Sequence, residues 1–103
     1  MIMVVRGSNI GKRFDFGTNG NGIVIHEARV DYGNWSSVIQ ILKFTDDGHK
    51  GEIDLRFGYC DDTGKLIARP LYLTEIQLAD LGKAATKNPE IKKMLKAFCN
   101  QIV

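Results

Sequence analysis

The chain has no apolar run near the roughly 18 residues that a membrane-spanning helix needs, and its opening MIMVVRGS is too short and wrongly flanked for a signal peptide. The expected location is therefore the cytoplasm, with no membrane partner. Cysteine is scarce: Cys60 and Cys99 show no C-x-x-C spacing and are too few for a secreted disulfide scaffold, so two reduced thiols are the simplest reading. Charge of one sign is lacking too. The net charge is only +2, far from the basic excess common in nucleic-acid modules.

The apolar fraction of 44% and charged fraction of 25% match ordinary globular usage, which excludes a disordered or fibrous chain. A length of 103 residues suits one core and is short for two. Charge is spread unevenly: residues 1–34 carry +1, residues 35–73 carry −1 and residues 74–103 carry +2. The middle of the chain is not basic.

Residues 1–22 form a glycine-rich N-terminal segment, with glycine at 7, 11, 17, 20 and 22, where turns should dominate. A short strand fits either Met1 to Val5 or Arg13 to Phe16. Residues 23–103 read as a single domain. Alternation predicts a first strand over residues 23–32, with Val24, His26, Ala28, Val30 and Tyr32 on one face and Ile23, Ile25, Glu27, Arg29 and Asp31 on the other. Val38 to Phe44 is rich enough in β-formers for a second strand. The loop TDDGHKG closes a hairpin onto Glu52 to Tyr59, where Ile53, Leu55, Phe57 and Tyr59 share one face and Glu52, Asp54 and Arg56 the other. A fourth strand is expected over Leu66 to Leu73, with Pro70 marking an edge or an interruption.

Helical signals begin at Thr74, which forms a capping box with Gln77. Gly82 either ends or bends that helix. Asn88 as N-cap and Pro89 at the first helical position open another, in which Ile91, Met94, Leu95, Phe98 and Ile102 follow helical spacing and Lys92, Lys93 and Lys96 face away. The order is an α+β layout, a four-stranded sheet followed by a C-terminal helix (ββββα).

Residues able to carry chemistry are few. GSNIGKR, from Gly7 to Arg13, is one residue short of a phosphate-binding loop and has Arg13 where a magnesium-holding Ser or Thr would stand, so a glycine-rich turn is the better reading. His26, His49, Cys60 and Cys99 match no zinc spacing. His26 falls on an apolar strand face and His49 in a solvated loop. Asp46-Asp47 and Asp61-Asp62 each lie in a glycine-containing turn, where aspartate binds local backbone, and neither resembles a calcium loop. No catalytic residue, metal or cofactor is expected, and the chain reads as a non-enzyme.

The polar side of the sheet is what remains. Trp35, Lys43, Arg56, Lys65 and Arg69, with Tyr59 and Tyr72 nearby, combine rings with cations. Two readings are open. Either the rings belong to the core and the charges solvate the sheet, or the set forms a surface on which bases stack while cations follow phosphates.

Residues 33–81, GNWSSVIQILKFTDDGHKGEIDLRFGYCDDTGKLIARPLYLTEIQLADL, resemble the positive-cofactor-four transcriptional coactivators and their bacterial YdbC-type relatives. The matching marks are the tryptophan before the second strand, the acid-then-arginine strand IDLRFGY, the DDTGK turn, and LYLTEIQLADL entering the helix. The resemblance implies a four-stranded antiparallel sheet and helix, paired as a homodimer that binds single-stranded DNA along its strands; with the polar face of the third strand it makes non-enzymatic binding of single-stranded DNA or RNA with low sequence specificity, in transcription, replication or repair, the first expectation. Location would then be nucleoid-associated. It makes Trp35, Lys43, Arg56, Lys65 and Arg69 the expected contacts. The basic run that the family carries before the helix is represented by LIARPLY, which keeps only Arg69. The last helix, NPEIKKMLKAFCNQIV, would extend the dimer interface by burying Ile91, Met94, Leu95 and Phe98 against its copy, several kcal/mol at about 25 cal/mol per Å². The rival expectation is a protein-interaction module, or a small phage or mobile-element regulator, using the same fold to dock on another protein.

Overall fold

The computed structural model describes residues 8–102. Among them a curled antiparallel sheet holds five strands in simple sequence order: β1 (Arg13–Asp15), β2 (Asn21–Asp31), β3 (Trp35–Phe44), β4 (Ile53–Asp61) and β5 (Leu66–Ile67). Two helices follow, α1 (Glu75–Thr86) and α2 (Pro89–Cys99). The α+β class stands, and the strand and helix counts are corrected to five and two. Of the two places expected for a short first strand, Arg13–Asp15 is β1, while Met1 to Val5 lies outside the described residues. The fourth expected strand shrinks to β5, because Arg69 N–H turns back onto the Ile67 carbonyl and Pro70 has no N–H to offer a ladder.

β3 lies at the centre and explains most of the burial. From Ser36 to Leu42 every residue is buried, polar Ser36, Ser37 and Gln40 included. One face of β3 packs under the helices: Ile39 and Ile41 meet Ala28 of β2, Leu81 and Ala85 of α1, and Ile91 of α2. Fully burying side chains such as Leu81 and Ile91 contributes about 1.5–3 kcal/mol each. The other face gathers Phe14, Val24, Leu42 and Phe44 in a second apolar cluster at one end of the sheet.

The alternation expected of the first strand breaks at one point. Val24 pairs with Leu42, but His26 pairs with Ile41, so Ile25 is an extra, bulged residue. Before the bulge Val24 joins the helix-free cluster; after it His26, Ala28 and Val30 face the helices. A period-two reading cannot see an inserted residue. β2 and β3 also approach so closely at Gly22 that a Cβ there would sit 1.9 Å from the Lys43 carbonyl oxygen, which glycine alone avoids.

Both helix starts are built by the residues expected. Thr74 Oγ1 accepts from Gln77 N–H at 3.1 Å, and Thr74 N–H donates to Gln77 Oε1 at 3.0 Å. Asn88 Oδ1 accepts from the N–H groups of Glu90 and Ile91, with Pro89 in the first turn. Gly82 does not end α1. Leu81 and Ala85, one turn apart, bury against the sheet, and that packing outweighs the roughly 1 kcal/mol a helical glycine costs.

Candidate nucleic-acid interface

The floor of the helix-free face is a polar chain laid across three strands. Directly paired residues of antiparallel strands share a face, so Glu27 of β2, Gln40 of β3 and Arg56 of β4 line up side by side. Arg56 donates to Gln40 Oε1 from Nε at 2.9 Å and from Nη2 at 2.7 Å. Gln40 Nε2 donates to Glu27 Oε2 at 2.7 Å, and Asn9 Nδ2 donates to the same oxygen at 3.0 Å. Arg29 lies 3.8 Å from Glu27 Oε1 and donates to Asp31 and Ser36, and Ser36 donates to Asp31. The buried Glu27 carboxylate is thus fully partnered, and the Arg56 guanidinium is held in one orientation. Burial pulls the Arg56 guanidinium below its ordinary value, with the nearby acidic groups opposing.

Over this floor opens a cleft of about 480 Å³. One wall is β1 with its flanking residues, among them Asn9 and Lys12 before it and Phe16 after it; the other is the turn between β4 and β5, with Thr63, Lys65 and Leu66. The sheet's curl brings these walls together. β1 supplies Phe14, packed edge-on against Phe44 at 5.1 Å, and the next ring out, Phe16, lies 5.0 Å from Phe14 and stays 42% exposed. Arg56 Cζ lies 6.0 Å from the Phe16 ring centre, at the outer limit of a cation–π contact. The second wall is shaped by Asp61, whose Oδ1 accepts from the N–H groups of Thr63 and Lys65 and from the Thr63 hydroxyl. That hydroxyl is the main reason the Asp61 carboxyl is held below its ordinary value. Lys12, Arg56 and Lys65 therefore surround an open space beside a half-exposed ring, with Asp15 the acid on its lining.

The structure divides the five expected contact residues. Arg56 and Lys65 share the cleft, and Arg56 and Arg69 share a neighbouring hollow beside β5. Trp35 and Lys43 lie on the opposite face of the sheet, since Trp35 pairs with Asp61 and Lys43 with Ile53 while Arg56 pairs with Gln40. Trp35 is half-buried, stacked on Tyr32 at 4.7 Å and edge-on to Tyr59 at 6.3 Å. It completes an aromatic cluster at one end of the sheet, and Lys43 is exposed about 26 Å along the same strand. The sequence reading missed Lys12 and Phe16. The alternation of Phe14 and Phe16 after Lys12-Arg13 was the available signal, but nothing local places that segment opposite Arg56.

The four residues expected at a helix-built dimer interface also separate. Ile91 is fully buried in the chain's own core, Met94 and Leu95 pack partly against it, and Phe98 is 64% exposed. Ile91 has no surface to offer a copy, because α2 spends that face covering the sheet.

Neither histidine is where solvent dominates. His26 Nδ1 lies 3.2 Å from Asn88 Nδ2 at the start of α2. His49 is not a free loop residue: its Nδ1 lies 2.7 Å from Asp46 Oδ2, and Asp46 Oδ1 accepts from Asn21 N–H at 3.1 Å. The Asp46 side chain thus ties the β3–β4 hairpin to the start of β2, rather than only its own turn. Its hydrogen bond to His49 holds the Asp46 carboxyl down and the His49 imidazole up. Cys60 is buried, and burial pushes its thiol up, away from thiolate chemistry. Among the described residues no three metal-ligating side chains converge, and no helix is long and apolar enough to cross a membrane.

No family model, curated protein or solved structure matches the chain.

Proposed function

We propose that this chain is a non-enzymatic homodimer that binds single-stranded DNA or RNA with low sequence specificity, laying the strand across the helix-free face of the sheet. The observation that carries the reading is the cleft in which Lys12, Arg56 and Lys65 converge beside the half-exposed Phe16. Phosphate contacts need cations, which are there, and sequence-tolerant base contact needs an open aromatic face, which Phe16 offers for about 1–3 kcal/mol per stacked base. Gln40 fixes Arg56 before any ligand arrives, so less side-chain freedom is lost on binding. The cleft is walled on two sides, which favours an unpaired strand over a duplex. The resemblance of residues 33–81 to single-stranded DNA-binding coactivators points the same way, with Lys12 and Phe16 replacing Trp35 and Lys43 as contacts. Roles in transcription, replication or repair follow from the ligand class.

The test is binding of a labelled oligothymidylate as salt is varied. Three phosphate contacts give a slope of log K against log salt of about −2, and Lys12→Glu or Lys65→Glu each flattens it by about 0.7. Phe16→Ala weakens binding without changing the slope. Failure to bind any single strand near 50 mM salt, the low end of the usual range, overturns the reading.

A further inference from the structure

β4 is an edge strand for most of its length. It pairs with β5 only at Tyr59 and Cys60, so from Ile53 to Phe57 its outer side has no strand beside it among the described residues. Asp61 N–H bonds to the Lys65 carbonyl across that side. By alternation, the N–H and C=O groups of Phe57, Leu55 and Ile53 point outward along the open edge. Their side chains lie on the helix-facing side, and they are poorly covered: Ile53 and Phe57 are each 50% exposed. The helices pack chiefly over β2 and β3, leaving an apolar groove of about 610 Å³ between β4 and the helices, with Leu78 and Phe98 half open at its rim.

An exposed, hydrophobic edge with unpaired backbone groups is a template for another strand. The pattern of β4 says which one. Around Leu55 the sequence reads Ile-Asp-Leu-Arg-Phe, apolar and charged positions symmetric about the centre but with opposite charges on its two sides.

We propose that β4 pairs antiparallel with β4 of a second copy of this chain, about a twofold axis beside Leu55. In that register Leu55 lies opposite its counterpart, Ile53 opposite Phe57, and Asp54 opposite Arg56, twice. The outward N–H and C=O groups of three residues on each strand form about six hydrogen bonds. Asp54 is exposed and has no ion pair among the described residues, and Arg56 Nη1 carries no described hydrogen bond once Nε and Nη2 are given to Gln40. Moving the register to the neighbouring alignments sets Asp54 against Asp54, or Arg56 against Arg56, and like charges directly opposite destabilise a strand pair. The charge pattern therefore selects one alignment. On the helix side, Ile53, Phe57, Leu78 and Phe98 of each copy meet across the axis and close the groove.

The interface is small, so the dimer belongs with weak self-associations, dissociating in the micromolar range. The proposal rests on the homodimer part of the reading above, and its test reads self-association in the absence of nucleic acid.

The experiment is sedimentation velocity of the full chain, nuclease-treated, over a series of micromolar concentrations. The wild type sediments as a reversible dimer. Asp54→Arg, a change at an exposed position, raises the dissociation constant about tenfold or more, because both cross-strand pairs become repulsive. Asp54→Glu, which keeps a negative charge opposite Arg56 and leaves the Arg56–Gln40 contact in place, retains the dimer. Ile53→Pro, at the half-exposed first position of β4, weakens the dimer while the circular dichroism matches the wild type, because the lost N–H faces outward. A wild type that stays monomeric through the series, or Asp54→Arg that dimerises as well as the wild type, overturns the proposal. So does capture of a different protein along β4 by a chain that does not self-associate. Loss of oligonucleotide binding with the dimer intact would count only against the proposed function.

Discussion

Gln40 accepts two hydrogen bonds from Arg56 and donates one to Glu27, so a single buried amide couples β4 to β2 across the central strand. Both ends of that amide are used, its oxygen accepting from the cation and its nitrogen donating to the carboxylate. Gln40→Leu keeps the volume but strands Arg56 and Glu27, a half-satisfied network that costs more than an apolar core would. The expected loss is about 2–4 kcal/mol of unfolding free energy by urea titration, accompanied by weaker oligonucleotide binding. A loss within about 0.5 kcal/mol, the range of an ordinary surface change, would show that the network does not hold the floor together.

The Asp46–His49 contact predicts a pH dependence of stability with a definite sign. A carboxyl held below its ordinary value stabilises the fold above the usual carboxylate range, and that contribution disappears as pH falls. An imidazole held above its ordinary value of 6.5 stabilises the fold below that pH, and the contribution is lost as pH rises through the raised value. The pair therefore helps most in mildly acidic solution. The Tm difference between wild type and His49→Gln is expected to be largest near about pH 5.5 and to shrink toward about pH 8.5. A difference independent of pH refutes the pairing.

Two apolar residues of α2 with the same hydropathic character should behave differently. Ile91→Ala removes a fully buried side chain and is expected to cost about 2–4 kcal/mol, with a lower midpoint in thermal unfolding. Phe98→Ala, at an exposed position, should change the monomer's stability by less than about 1 kcal/mol while weakening self-association. Equal effects in the monomer would contradict the packing of α2 described above.

Gly22→Ala puts a methyl group 1.9 Å from the Lys43 carbonyl oxygen, against backbone that cannot retreat without opening the β2–β3 ladder. The expected result is loss of more than about 3 kcal/mol or failure to recover folded protein, read by circular dichroism and by the soluble yield. Asn88→Ala is a milder comparison. It removes the α2 cap and the contact to His26, for about 1–2 kcal/mol.

What the sequence makes legible here follows how local each signal is. The capping box at Thr74 and the Asn88-Pro89 start of α2 depend on residues within one turn, and they appear where the pattern puts them. The β3–β4 hairpin is legible because Ile53, Leu55, Phe57 and Tyr59 keep strict alternation. The bulge at Ile25 is not, since an inserted residue shows only against a partner strand. Trp35 looked like a platform beside Arg56 because both are large side chains near strand residues, yet the register assigns them to opposite faces. Lys12 and Phe16 were hidden for the converse reason: some forty residues of chain separate them from Arg56, and only the curl of the sheet brings them near.

The amino-acid order alone determined the α+β class, the two helix starts and the charge-bearing face of β4, because each arises from side chains a few positions apart acting on their own backbone. Tertiary structure decided which cations share a space, which face of α2 is spent on the core and which strand edge stays open. Those outcomes depend on strand register and sheet curvature, which arise from contacts between residues distant in the chain and leave no periodic mark within any single segment.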